Sequence, residues 1–128
     1  NVHLLGRVED PYQVMKKADI FWHLSITEGM PLSIIEAMAI GLPVVGFNVE
    51  GVRDVVSDSK NGYLLKYADI DGLVEKTTLL LESHEKREKM SELSLELYNS
   101  KYTKDIMLSG YRQYLRELYI SNLSVADY

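Results

Sequence analysis

The sequence predicts an α/β fold: a parallel sheet of about four strands with flanking helices, followed by a helical C-terminal region. Two observations carry this. Over the first two-thirds, short β-type apolar runs alternate with helical stretches, the pattern of β-α-β crossovers with right-handed connections. After Asp69 the strand-like runs stop, and apolar residues recur only at helical spacing. The 128 residues suffice for one domain with a real core. It divides into a β/α region over residues 1–68 and C-terminal helices over 69–122.

Val2-His3-Leu4-Leu5 reads as a first strand closed by Gly6. Asp10 is a helix cap with Pro11 at the first helical position, opening a helix through about Ala18. Ile20 to Leu24 is a second strand. A turn holding Glu28, Gly29 and Pro31 leads into a helix from about Leu32 to Ile40, stopped by Gly41. Pro43 to Phe47 is a third strand, buried by composition. A short helix near Val52 to Val56 follows, then Asn61-Gly62 as a turn and Tyr63-Leu64-Leu65 as a fourth strand. Asp69 caps a helix carrying Leu73, Val74, Thr77, Leu80 and Leu81. A charged stretch, His84 to Lys89, leads into a stripe of Met90, Leu93 and Leu97. Thr103 caps a last helix whose Ile106, Met107, Tyr111, Tyr114, Leu115 and Leu118 form an apolar and aromatic face. That face reads as core-facing, with a partner surface as the alternative.

Composition removes several classes of function. Hydrophobic content of 46% with 26% charged residues is globular. The formal net charge is −5 and Lys and Arg are scattered, so no basic stripe points to nucleic acid. There is no cysteine, which fits a reducing compartment and rules out thiolate metal sites. His3, His23 and His84 lack metal-ligand spacing, so no metal is expected. The longest apolar stretch, Leu32 to Val49, is interrupted by Glu36, Gly41 and Pro43 and does not read as a membrane span. The chain does not begin with Met and reads as a piece of something longer.

The chemistry concentrates at Glu28 and Glu36, which are separated by seven residues and bracket a helix start. Such a start presents free backbone N–H groups and favours anions. Glu36 is either a residue on the narrow solvent face of an amphipathic helix or an acceptor for a ligand diol, as acidic residues are for nucleotide ribose. Glu28 lies at the carboxyl end of a parallel strand, the edge where open α/β sheets bind ligands. It is either a helix-start acid favoured by the macrodipole or a partner for a sugar hydroxyl or for positive charge at a reacting carbon. Gly29 permits close backbone approach. The Gly46 to Gly51 loop lies on the same edge. His23 reads as structural, and Phe21 and Trp22 as core. No dinucleotide, P-loop, nucleophile-elbow or zinc motif occurs.

The ordered string Ala18-Asp19-Ile20-Phe21, Ser25 to Glu28, Gly29-Met30-Pro31-Leu32-Ser33-Ile34-Ile35-Glu36-Ala37-Met38-Ala39 and Gly41-Leu42-Pro43-Val44-Val45 resembles glycosyltransferase family 4. So do Gly51 to Val56 and Asn61 to Leu65, and the resemblance covers roughly residues 2 to 120. It implies a portion of the C-terminal, donor-binding domain of a GT-B enzyme, one of two Rossmann-like domains facing across a cleft. It implies a hexosyltransferase-type enzyme that moves sugar from a nucleotide-diphosphate donor to an acceptor hydroxyl, with retention of configuration and without a metal. The acceptor would be a glycan, a lipid-linked sugar or a small molecule, and the setting polysaccharide or glycoconjugate biosynthesis. By the same resemblance Glu36 would hold the donor ribose. Glu28, in the catalytic position, and the backbone of Gly29, Met30, Pro31 and Leu32 would hold the donor sugar and diphosphate. Gly6, Arg7 and Val8 would lie against the nucleobase.

Pro31 stands where many members have a second Gly, Leu24 replaces a frequent Pro, and Asp54 a frequent Glu. The family's diphosphate-binding basic residues and its acceptor domain lie upstream of Asn1, so the 128 residues alone are expected to be inactive. The whole protein is expected to be cytoplasmic or peripheral at the inner membrane face, with any membrane contact made by the upstream domain. In a doubly wound sheet of order 3-2-1-4-5-6 these strands would be 3, 4, 5 and 6. An open edge then results. Either Val2 to Leu5 moves in beside Ile20 to Leu24, or another chain covers the edge by self-association. Two other functions fit the same string: a nucleotide-sugar epimerase, and a non-catalytic sugar-nucleotide-binding module.

Overall fold

The computed structural model describes residues 2–125, with side-chain burial described as far as residue 120. Three parallel strands, β1 (Phe21–His23), β2 (Val44–Phe47) and β3 (Gly62–Leu65), form a sheet in the order β1-β2-β3. The register pairs Phe21 with Val44, His23 with Gly46, and Val44 with Gly62. This is the order expected for strands 4, 5 and 6. The helices are α1 (Pro11–Met15), α2 (Leu32–Ala39), α3 (Glu50–Val55), α4 (Ile70–Glu82), α5 (His84–Leu97) and α6 (Lys104–Val125), with a π-helical turn at Tyr98–Tyr102 joining the last two.

Local chemistry sets the boundaries. The Asp10 carboxylate accepts the Tyr12 amide at 3.1 Å, Asp69 that of Gly72 at 2.8 Å, Ser83 that of Lys86 at 3.3 Å and Thr103 that of Ile106 at 3.4 Å, each satisfying a helix-start donor. The charged residues from His84 onward thus belong to α5 itself, started by Ser83. At the end of α2, Gly41 adopts φ +74°. Its amide bonds to Met38 O at 3.0 Å and that of Leu42 to Ala37 O at 2.9 Å, the paired pattern of a left-handed helix stop.

Alternation along β2 and β3 builds two cores, one on each face of the sheet. Val45, Phe47, Tyr63 and Leu65 pack with Leu73 and Leu80 of α4 and Met90 of α5. Val44 packs on the other face with Ile34 and Met38 of α2 and Val52, Val55 and Val56. All four residues of β2 are consequently buried. Near the amino ends of β2 and β3 lies a buried polar knot. Asn61 accepts the Ser57 amide at 2.8 Å and donates to Val55 O at 3.4 Å, and the buried Ser94 hydroxyl donates to Leu42 O at 3.4 Å.

The two sheet edges differ. On β3, the amide of Leu64 donates to Asp58 Oδ1 at 2.8 Å and the Gly62 carbonyl accepts the Ser59 amide at 2.8 Å. The 57–60 turn therefore closes that edge. On β1, Phe21 and His23 address β2, since the Phe21 amide bonds Pro43 O at 2.9 Å. Trp22, between them, points its N–H and C=O outward.

Three expectations need correction. Residues 2–5 form no strand and do not join β1, so the sheet has three strands rather than about four among the described residues. Val2 and Leu4 are 89% and 94% exposed: with neither a ladder partner nor an apolar face to cover, a strand gains nothing to offset its ordering entropy. Trp22 is not core; it is half-exposed and its indole N–H donates to Thr77 Oγ1 of α4 at 3.0 Å. The apolar face of α6 is not core-facing either, because Met107, Tyr111, Tyr114, Leu115 and Tyr119 are all exposed. Among the described residues no helix is long and apolar enough to cross a membrane.

Candidate functional site at the carboxyl edge of the sheet

The chain leaves β1 at His23, runs through a turn with no regular structure, and enters α2 at Leu32. It leaves β2 at Phe47 and enters α3 at Glu50, so both loops lie at the carboxyl end of the parallel strands. They touch. A Cβ on Gly51 would stand 2.5 Å from Gly29 O and 2.7 Å from Glu28 O, so only glycine lets α3 sit against the Glu28–Gly29 backbone. Gly46 has a related role in the layer below, where a Cβ would lie 2.9 Å from His23 O.

Within the turn, His23 Nε2 lies 3.0 Å from Glu28 Oε1, and His23 Nδ1 is 3.5 Å from Ser33 Oγ. His23 is buried and its ring stacks at 6.3 Å on Phe21, whereas the Glu28 side chain is 25% exposed. The Ser25 hydroxyl chiefly, and the His23 ring after it, hold the Glu28 carboxyl below its ordinary pKa, against partial desolvation that pushes it up. With the folded-state pKa lowered, the unfolded chain binds more protons in this range. The contribution is complete above the ordinary carboxylate pKa and is lost as pH falls through the folded value. Chemical denaturation between pH 6 and pH 3 is therefore expected to show a loss of stability on acidification that is smaller in Glu28→Gln. Equal slopes in the two proteins would contradict this linkage.

Glu36 lies on α2 one turn beyond Leu32 and shares the helix side of Ser33, three residues before it. It is exposed, and no hydrogen bond or ion pair engages its carboxylate among the described residues. At the start of α2 the amide of Leu32 bonds Met30 O at 3.0 Å, while those of Ile34 and Ile35 both reach Pro31 O. The amides of Gly29, Met30 and Ser33 have no partner in the chain among the described residues. Pro31 is buried, and Met30 and Leu32 are exposed beside these amides. Glu28, Gly29, Met30, Pro31, Leu32 and Glu36 thus lie along one turn and the helix that it opens. Gly6, Arg7 and Val8 lie apart in the N-terminal segment, with Gly6 at φ +62°, and no hydrogen bond or ion pair joins them to the turn among the described residues.

Two residues of this cluster were undervalued by the sequence. Ser33 carries no signal beyond its place at a helix start. His23 was legible only as a polar residue ending an apolar strand five positions before Glu28.

A parallel sheet flanked by helices, with an acidic, glycine-bearing turn and an open helix start at its carboxyl edge, is a domain of the Rossmann-like kind. Residues 1–95 match the family described as glycosyl transferases group 1, and the chain belongs to that family. It is 37% identical over 95 residues to a glycosyltransferase of Haemophilus influenzae, covering 73% of this chain and 27% of that protein. It is 38% identical over 71 residues to the Escherichia coli UDP-Gal:α-D-GlcNAc-diphosphoundecaprenol α-1,3-galactosyltransferase, covering 56% of this chain and 18% of that one. Among solved structures, it superposes with a TM-score of 0.81 and 29% identity on S. aureus TarM, solved with fondaparinux, α-GlcNAc-glycerol and UDP. That match covers 88% of this chain and 23% of TarM. The chain thus spans roughly a quarter or less of the length of these proteins, and the fold is that of the GT-B glycosyltransferases.

Proposed function

We propose that the chain forms the donor-site portion of a retaining glycosyltransferase that transfers a hexose from a nucleotide-diphosphate sugar to an acceptor hydroxyl in polysaccharide or glycoconjugate synthesis. The observation that carries this reading is the set of unpartnered amides at Gly29, Met30 and Ser33, bracketed by Glu28 and Glu36 at the carboxyl edge of the sheet. The amides suit the leaving diphosphate, whose negative charge the α2 N-terminus favours by about 0.3–1 kcal/mol. The unengaged Glu36 carboxylate accepts both hydroxyls of a ribose. Glu28 lies at the strand end, next to where the transferred sugar would project, and its depressed pKa keeps it anionic opposite positive charge growing at the anomeric carbon. The acceptor hydroxyl attacks that carbon from the face the diphosphate leaves, its proton passing to the departing phosphate oxygen as the carbon–oxygen bond to the diphosphate breaks, so the sugar is delivered with its configuration retained. Remaining neutralisation of the diphosphate and the acceptor site belong to the rest of the whole protein, at the cytoplasmic membrane face where the acceptor is lipid-linked.

The relatives make uridine diphosphate the first probe, since one is named for a UDP-galactose donor and another is solved with UDP. Glu36→Ala in the whole protein is expected to weaken UDP binding about 10- to 100-fold by calorimetry, the loss of charged hydrogen bonds of about 1.5–3 kcal/mol. Glu28→Ala is expected to keep UDP affinity within about twofold and to lower turnover about 100-fold. Unchanged affinity and turnover in both variants would refute these roles.

A further inference from the structure

We infer that His23 is a positioning residue for the transfer, locking the Glu28 carboxylate in place between β1 and α2. This rests on the role proposed above for Glu28. Neither the strand pattern nor simple packing accounts for a histidine here. On the same face of β1, Phe21 fills apolar space, and an apolar residue at 23 would do likewise. Instead a polar ring is buried, which is costly unless both nitrogens find partners. Both do: Nε2 is 3.0 Å from Glu28 Oε1 and Nδ1 is 3.5 Å from Ser33 Oγ.

The pairing is directional. The ionised Glu28 carboxylate can only accept, so a neutral ring turns its Nε2–H toward it and leaves Nδ1 to accept from the Ser33 hydroxyl: Glu28 selects the tautomer. The strand end that carries the ring is fixed by the close approach of the Gly46 backbone, and the buried ring itself stacks on Phe21 at 6.3 Å. Glu28 itself sits in a turn with no ladder or helix bonds to hold it. Without the ring the Ser25 hydroxyl alone would hold the side chain, and a carboxylate that must keep its position to within about 0.5 Å beside a reacting carbon loses effect when it wanders. His23 thus acts on the sugar only through Glu28.

The test compares His23→Gln, whose side-chain amide reaches the Nε2 position, with His23→Asn, which cannot, in the whole protein. With UDP-galactose or UDP-glucose as donor and UDP release as readout, His23→Asn is expected to lower kcat about 100-fold and His23→Gln less than about fivefold. UDP affinity stays within about twofold in both. Combining His23→Asn with Glu28→Gln adds nothing to the loss from Glu28→Gln alone, as expected for residues acting as one unit. Independently of any donor, 15N NMR of the wild-type imidazoles is expected to show His23 as the Nε2–H tautomer, and Glu28→Gln to shift that resonance. Full activity in His23→Asn, an equal loss in both His23 variants with weakened UDP binding, additive losses in the double variant, or an Nδ1–H tautomer would each overturn the inference. Full activity in Glu28→Gln would instead overturn the role of Glu28, leaving the tautomer to report separately on the contact.

Discussion

Placing a single methyl group on Gly51 is expected to lower turnover of the whole protein about 100-fold and to destabilise it by about 1–3 kcal/mol. The added Cβ would stand 2.5 Å from Gly29 O and 2.7 Å from Glu28 O, and both are backbone atoms that no side-chain rotation can move aside. The strain must be relieved by shifting α3 or the turn. Overpacking of this kind costs about 1–3 kcal/mol. A shift of the turn carries Glu28 with it, and about 1 Å of misplacement at a reacting centre is enough for a hundredfold loss. The control is Gly29→Ala: a Cβ there meets nothing within 4 Å, so its stability should stay within about 0.5 kcal/mol of wild type. Denaturant midpoints and UDP release together decide the matter. A Gly51→Ala protein as stable and active as wild type would show that α3 does not brace the turn.

The second large effect is on stability alone. Asn61→Leu is expected to lower unfolding free energy by about 2–5 kcal/mol. The side chain is fully buried, accepts the Ser57 amide at 2.8 Å and donates to Val55 O at 3.4 Å. Leucine fills a similar volume but strands both backbone groups, each costing about 1–3 kcal/mol. The loss falls on the connection between α3 and β3, which also carries the Asp58 contact that closes the β3 edge. Urea unfolding measures the effect, and a change below about 1 kcal/mol would mean that water reaches the orphaned groups.

Much of this arrangement was readable in the order of residues. Where side chain and backbone chemistry act locally, as at Asp10, Asp69, Thr103 and Gly41, the caps and stops fell where composition placed them. The buried β2 was equally plain, since a run of apolar residues between Gly41 and Asn48 leaves little else. What escaped depended on neighbours distant in sequence. Val2 to Leu5 has β propensity but no strand beside it, and propensity without pairing or burial does not fix a strand. Trp22 and the face of α6 have core-like composition, yet Trp22 stays half-exposed beside Thr77 and most of the α6 face is exposed in the described chain. In the site, the spacing of Glu28 and Glu36 was visible, while the contact from His23 to Glu28 was not. It depends on strand end, turn and helix start converging, which residue order does not reveal.

The exposed run of α6 bears on how the chain melts. At 22 residues the helix extends about 33 Å, and its first turn is tied to the body through Thr103 and the π-helical turn. Helices that bury little of their surface are marginal in water, so its amides are expected to open at lower free energy than those of β2. Unfolding of these 128 residues on their own is therefore expected to depart from a single cooperative event. Far-UV ellipticity, weighted by α6, is expected to fall before the fluorescence of Trp22, the sole tryptophan and anchored to Thr77, which should follow the sheet itself; coincident transitions would show α6 melting with the sheet.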